Sequence, residues 1–255
     1  MTATGGALRR LACTLGALAI TVAATAAEIS VLSGGAVKSP LKAALPAFES
    51  RTGHKVNVVY APAGEIARRV GAGEVYDLLI LPAENIESYE QQGKAVPGSR
   101  AALGKVGIGV AVNERAPSPD IATPEAFKQT LLAAKSIVYI DPVSGTSGKH
   151  FAAVLQQLGI ADAVNAKARL GTGGHVVAPV GTGEIELGVH QISEILPVKG
   201  VRLAGPLPAP LQKYTVYAAA PVPGSAKAQD VARLIAYLSS PAARATLAAA
   251  GYSAP

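Results

Sequence analysis

From residue 28 onward, short β-branched or apolar runs alternate with alanine-rich helical stretches, and this alternation constrains the fold more than any other feature. Glu28 to Leu32 reads as a strand, followed by Ser33-Gly34-Gly35 and a helix carrying Leu41, Leu45 and Phe48. Val56 to Tyr60 is the next strand, followed by Ala61-Pro62-Ala63-Gly64 and a helix through Ile66 and Val70. Asp77 to Leu81 lacks polar alternation, as a strand covered on both faces of a parallel sheet does. Strand, turn, helix, strand, repeated, predicts an α/β fold on parallel sheets.

The middle of the chain repeats the pattern. Ile137 to Ile140 is a short strand, then comes Asp141-Pro142-Val143-Ser144-Gly145-Thr146-Ser147-Gly148, then a helix with Phe151, Val154, Leu155 and Leu158 that Gly159 ends. Ile185 to His190 is a further strand, ending at Gln191. Two apolar strands, Gly107 to Val112 and Tyr214 to Ala219, bracket this block and read as crossovers. The last long helix runs from about Ala226 to Leu238, and Pro241 opens a short terminal one. The expected architecture is two lobes: residues 28–111 and 215–255 form the first, and residues 112–214 form a second inserted into it. No solenoid period is present.

The N-terminus reads as a leader. Residues 1–27 contain no acid; Arg9 and Arg10 precede an apolar run from Leu11 to Ala24, which ends in Ala24-Thr25-Ala26. The run is short against the roughly 20 residues that span a bilayer core, so residues 1–26 are expected to be a cleaved secretory signal. Cleavage would remove Cys13, the only cysteine, and leave an exported chain with no disulfide. It would also lower the formal charge from +6 to +4. The remaining basic residues are scattered without aromatic interleaving, so nucleic acid is not an expected partner, while anions are weakly favoured.

Three loops each follow a strand and open a helix: Ser33-Gly34-Gly35-Ala36, Ala61-Pro62-Ala63-Gly64-Glu65 and Ser144-Gly145-Thr146-Ser147-Gly148. Open α/β sheets bind ligands at such edges, where helix starts present unpaired N–H groups and roughly half a positive charge. The alternative is that Ser, Thr and Gly merely cap these helices. Enzyme motifs fail: Gly145-x-Ser147 lacks a glycine at Lys149, and Gly148-Lys149 lacks both a glycine at Val143 and a hydroxyl at His150. His54, His150, His175 and His190 are dispersed and form no local metal motif, so neither metal nor cofactor is expected.

Ile29-Ser-Val-Leu-Ser-Gly-Gly-Ala, Ile66-Ala-Arg-Arg-Val-Gly-Ala-Gly, Asp77-Leu-Leu-Ile-Leu-Pro, Asp141-Pro-Val-Ser-Gly-Thr-Ser-Gly and Leu187-Gly-Val-His occur in this order over nearly the whole mature chain. In these stretches the chain resembles the periplasmic molybdate-binding proteins of ABC transporters. The resemblance implies a type II-like periplasmic-binding-protein fold, crossover hinge strands, a small anion between the lobes, an ABC transporter permease as partner, and a monomer without enzymatic activity. It carries the ligand contacts onto Ala36, Ala63, Ser147, Val176 and Gln191. The family usually has serines at the first two positions and a tyrosine at the last. Each charge-assisted donor contributes roughly 1.5–3 kcal/mol, so losing two would weaken a tetrahedral oxyanion site strongly. Lys149 and His150 beside Ser147, with His175 and His190 beside Val176 and Gln191, make a small di- or tricarboxylate the rival of the molybdate-like oxyanion that the resemblance implies, the alternative being that these groups face solvent. The expected ligand-binding set is Ser33, Gly34, Gly35, Ala36, Ala63, Gly64, Thr146, Ser147, Gly148, His150, His175, Val176 and Gln191. The alternative from another class is a secreted hydrolase using Ser147 with His150, His175 or His190.

Overall fold

The structure, a computed structural model, describes Thr2 and residues 26–173 and 175–255. The charged start, apolar run and Cys13 of the expected leader lie outside the described residues. No helix among the described residues is long and apolar enough to cross a membrane.

Two sheets carry the chain. The first contains β1 (Glu28–Gly34), β2 (Lys55–Ala61), β3 (Leu78–Pro82), β4 (Ala101–Val106), β10 (Thr215–Pro221) and β11 (Tyr252–Ser253), ordered β11-β4-β10-β3-β1-β2. The second contains β5 (Ile108–Asn113), β6 (Ile137–Ile140), β7 (Ala168–Gly171), β8 (Leu187–Gln191) and β9 (Val201–Pro206), ordered β7-β6-β8-β5-β9. The helices are α1 (Lys38–Thr52), α2 (Ala63–Gly71), α3 (Ala83–Gln91), α4 (Pro124–Ala133), α5 (Thr146–Gln157), α6 (Ala161–Asn165), α7 (Ala178–Gly181), α8 (Ile192–Ile195), α9 (Ala228–Leu238) and α10 (Pro241–Ala249).

β1 pairs in parallel with β2 and β3, and β6 pairs in parallel with β7 and β8. Parallel neighbours require crossovers, and the helices that supply them cover both faces of each sheet. β3 shows the consequence, being buried along its whole length. Leu78 and Ile80 pack with Phe48 on one face of the sheet, and Leu79 and Leu81 with Ile66 and Ile86 on the other. The second sheet repeats this, with Ile137, Tyr139 and Val189 on one side and Val138, Ile140 and Val177 on the other.

The chain passes between the sheets at Gly107 and again through residues 207–214. β5 pairs with β8 and β9 along its full length, so the first passage falls earlier than the boundary expected after Ala111. Gln212 ties the two passages together: its Oε1 accepts from the Ile108 N–H at 2.9 Å, and its Nε2 donates to the Ile108 carbonyl at 2.8 Å. A side chain at Gly107 would meet Gln212 and Tyr214 at 3.1–3.2 Å. The strands β4, β7, β9 and β11 have no counterpart in the sequence reading. β7 and β9 are only partly buried, so the apolar pattern that marks a strand is weak in them.

Candidate functional site

Three strand-to-helix loops open onto one cavity of about 370 Å³ between the lobes. β1 ends in a short 3-10 turn, Gly35–Val37, that leads into α1; Pro62 stands before α2; Gly145 stands before α5. None of these starts has a side-chain cap, so the first N–H groups of α2 and α5 lack the side-chain acceptor that a helix start usually receives. The side-chain caps among the described helices are Thr123 on α4 and Ser240 on α10. Neither residue lines the cavity. α3, α6, α7, α8 and α9 also start without a side-chain cap, so what sets the three loops apart is their common position on the cavity.

The lobes touch around the cavity. The Gly64 N–H reaches the Ser144 carbonyl at 3.4 Å. A Cβ on Gly173 would lie 2.9 Å from the ring of Pro62, and one on Gly35 would lie 2.8 Å from Glu194 Oε1. The two lobes therefore approach each other closely at the rim of the cavity.

Of the expected contact residues, Gly34, Gly35, Ala36, Ala63, Thr146, Ser147, His175 and Gln191 line this cavity together. The others do not. Ser33 is fully buried and donates to the Gly34 carbonyl at 3.2 Å. Gly64 faces Val143 and Ser144 of the opposite lobe. Gly148 lets α5 lie against β6, because a Cβ there would sit 1.9 Å from the Ile140 carbonyl oxygen. His150 turns into the second lobe, with Nε2 2.8 Å from the Leu211 carbonyl. Val176 packs its side chain over Gly171. Lys149 is exposed and does not line the cavity.

The sequence reading missed several lining groups. Lys38 and Lys42 come from the first two turns of α1 and Tyr60 from the end of β2, with Lys38 Nζ 5.9 Å from the Tyr60 ring centre. Burial pushes the Tyr60 phenol up to about 12, so it stays a neutral donor. Burial also pushes the Tyr217 phenol well up, the charge of Glu194 adding to it. Tyr217 fills the space beside Gly34, where a Cβ would lie 3.1 Å from its ring. The spacing of Lys38 and Lys42, one helical turn apart directly after the Ser-Gly-Gly-Ala loop, was the available signal for the cations.

The most structured part of the wall is a string of three side chains. Ser147 Oγ lies 3.0 Å from His190 Nδ1, and His190 Nε2 lies 3.5 Å from Glu194 Oε2. Ser147 and His190 are 3% and 2% exposed, so this is a buried polar pair with a carboxylate behind it. Gln191 donates to Thr146 Oγ1 at 2.9 Å, while its own Oε1 and Ser193 Oγ are buried without partners and belong to residues that line the cavity. Among the described residues no cluster of His, Cys, Asp and Glu is arranged to hold a metal.

A family model described as bacterial extracellular solute-binding protein matches residues 29–253. Among curated proteins, an aconitate isomerase from Pseudomonas sp is 33% identical over 217 residues, covering 83% of this chain and 82% of that protein. The molybdate-binding protein ModA of Azotobacter vinelandii is 28% identical over 194 residues, covering 74% of each. The solved periplasmic molybdate-binding protein of A. vinelandii superposes with a TM-score of 0.76 at 21% identity, over 89% of this chain and 99% of that one. The sulfate-binding protein SubI of Mycobacterium tuberculosis H37Rv gives 0.70 at 18% identity, over 89% and 86%. These neighbours share the two-lobed binding-protein fold.

Proposed function

Because this chain belongs to the bacterial extracellular solute-binding proteins, we propose that it captures a small organic polycarboxylate, of the size and charge of aconitate, in the cleft between its lobes. It does so in the periplasm, after removal of the leader, and delivers the ligand to the permease of an ABC-type uptake system. The observation that carries the ligand class is the cavity itself. Its volume falls within the roughly 300–1,000 Å³ usual for small organic ligands. Ala36 and Ala63 bring no hydroxyl to it. Lys38, Lys42 and His175 are separate points on its wall, which suits a molecule with several carboxylates better than one compact oxyanion.

Calorimetric titration with cis-aconitate, trans-aconitate, citrate, molybdate, tungstate and sulfate tests the assignment. The expected result is saturable binding of a tricarboxylate, at least roughly tenfold tighter than molybdate. Tight binding of molybdate or tungstate alone would replace this reading with an oxyanion carrier.

A second reading has a specific observation behind it. The string Ser147–His190–Glu194 on the cavity wall, with a relative named aconitate isomerase, favours a protein that isomerises the bound acid as well as holding it. Incubating purified protein with trans-aconitate and following cis-aconitate by chromatography decides this. A parallel ester screen tests the hydrolase alternative: turnover of esters lost in Ser147→Ala would favour it over both other readings.

A further inference from the structure

His190 stands at the end of β8 with Nδ1 in hydrogen-bond distance of Ser147 Oγ at 3.0 Å and Nε2 facing Glu194 Oε2 at 3.5 Å, beyond a good hydrogen bond. Glu194 has only acceptor oxygens when ionised, so it favours the imidazole proton on Nε2 and leaves the Nδ1 lone pair for the Ser147 hydroxyl. The atom this string offers to a ligand is therefore Ser147 Oγ, with the imidazole as its proton store. The third member faces the other lobe across the cleft. Glu194 belongs to the second lobe, yet its Oε1 lies over Gly35 of the first, in the space a Cβ would otherwise contest at 2.8 Å. Ser193 Oγ, next to it, is buried and unpartnered at the same cavity.

We propose that closure of the lobes completes a proton-transfer site for an unsaturated tricarboxylate, with Ser147 and His190 as the acid/base pair and Glu194 as a positioning residue that Gly35 seats. The proposal rests on the reading that the cleft takes a tricarboxylate. Ser147 Oγ takes a proton from the ligand's methylene carbon while its own proton passes to His190 Nδ1. The C–H electron pair becomes the new double bond, and the pair of the old double bond moves to its far carbon. That carbon receives a proton from Ser147 as His190 returns its own. One C–H bond breaks and one forms, nothing is oxidised or reduced, and no co-reactant enters. The imidazolium that exists between the two transfers is balanced by Glu194. In an open conformation Gly35 would no longer back the carboxylate, so transfer would be confined to enclosed ligand.

The test begins with calorimetric titration of the whole protein with trans-aconitate, followed by proton NMR in D2O to read deuterium entering the acid and cis-aconitate appearing. His190→Gln and Glu194→Gln are expected to slow exchange about 100-fold or more when compared with the parent at saturating ligand, each variant's own dissociation constant setting the concentration used. Glu194→Asp is expected to recover part of that loss, and melting curves confirm that each variant is folded. Gly35→Ala is expected to slow exchange about tenfold in the otherwise unchanged protein and to add nothing in the Glu194→Gln background, as coupled positions do. Losses that multiply across that pair would overturn the closure-dependent seating. Binding with neither deuterium entry nor conversion to cis-aconitate would overturn the proton-transfer site alone. Absence of tricarboxylate binding would overturn the ligand assignment and this proposal with it.

Discussion

The two walls of the cleft are made of different chemistry. The first lobe brings cations and phenols, Lys38, Lys42, Tyr60 and Tyr217, around the loops that precede α1 and α2. The second brings Ser147, His190, Gln191 and Glu194, of which Ser147, His190 and Glu194 stand in a row. One wall is cationic and phenolic; the other is built of a hydroxyl, an imidazole, an amide and a carboxylate. Neither wall is complete alone, because the carboxylate of Glu194 lies over the first lobe and the Gly64 amide meets Ser144 of the second. A ligand that touched both sides would give closure a driving force.

The largest effect should separate the walls by stability. Gly148→Ala forces a methyl group into the Ile140 carbonyl, a backbone atom that cannot step aside, and should cost about 3 kcal/mol in urea unfolding. Unfolding of the second lobe ahead of the first would show that the lobes fold as separate units; a single transition would show them coupled.

The next effect lies in the first lobe and depends on acid. Burial would raise the Asp77 carboxyl, but hydrogen bonds from the Ser30 amide, Ser225, Lys227 and the Ser30 hydroxyl overcome this and hold it at about 2, below its ordinary value of 3.8. A depressed carboxyl stabilises the fold above its unfolded pKa and loses that contribution as pH falls from about 4 toward 2. Asp77→Asn should therefore cost about 2 kcal/mol at pH 7, and the difference from the parent should vanish near pH 2 in thermal melts. A difference that persists at pH 2 would mean that the group acts through packing instead.

A somewhat smaller change is expected on the wall of the second lobe. Ser147→Ala should weaken anion binding by about 1.5 kcal/mol, through loss of the hydroxyl that holds the His190 ring at the cavity wall, measured by titration at fixed salt with little change in salt dependence. The smallest effect belongs to the cationic wall: Lys38→Met with Lys42→Met should weaken binding about tenfold at low salt and progressively less as salt rises. If the serine change alters the salt slope and the lysine changes do not, the division of labour between the walls is wrong.

Much of the fold was legible before any coordinates. The Leu-Leu-Ile-Leu run predicted a covered strand and β3 is one; Ile137–Ile140 was read to its ends. Such strands carry their own signal, because both faces must be apolar. β4 starts with the small residues of Ala101-Ala102-Leu103-Gly104 and was passed over, since alanine and glycine do not announce strands. Within the site, the three loops were legible as helix starts, and Ala36, Ala63 and Ser147 do line one cavity. His150 was read as a neighbour of Ser147 on sequence proximity, yet it turns to the Leu211 carbonyl, leaving His190, 43 positions from Ser147 in sequence, to meet the serine.

The sequence by itself determined that strands would alternate with helices and that glycine-rich turns would open those helices. These depend on local periodicity and backbone preference, which neighbouring residues set. Which loops face each other, which histidine pairs with Ser147 and that Glu194 lies over Gly35 were decided only by tertiary structure. Those contacts join residues far apart in the chain, and their distances follow from how two packed lobes meet, which no local pattern encodes.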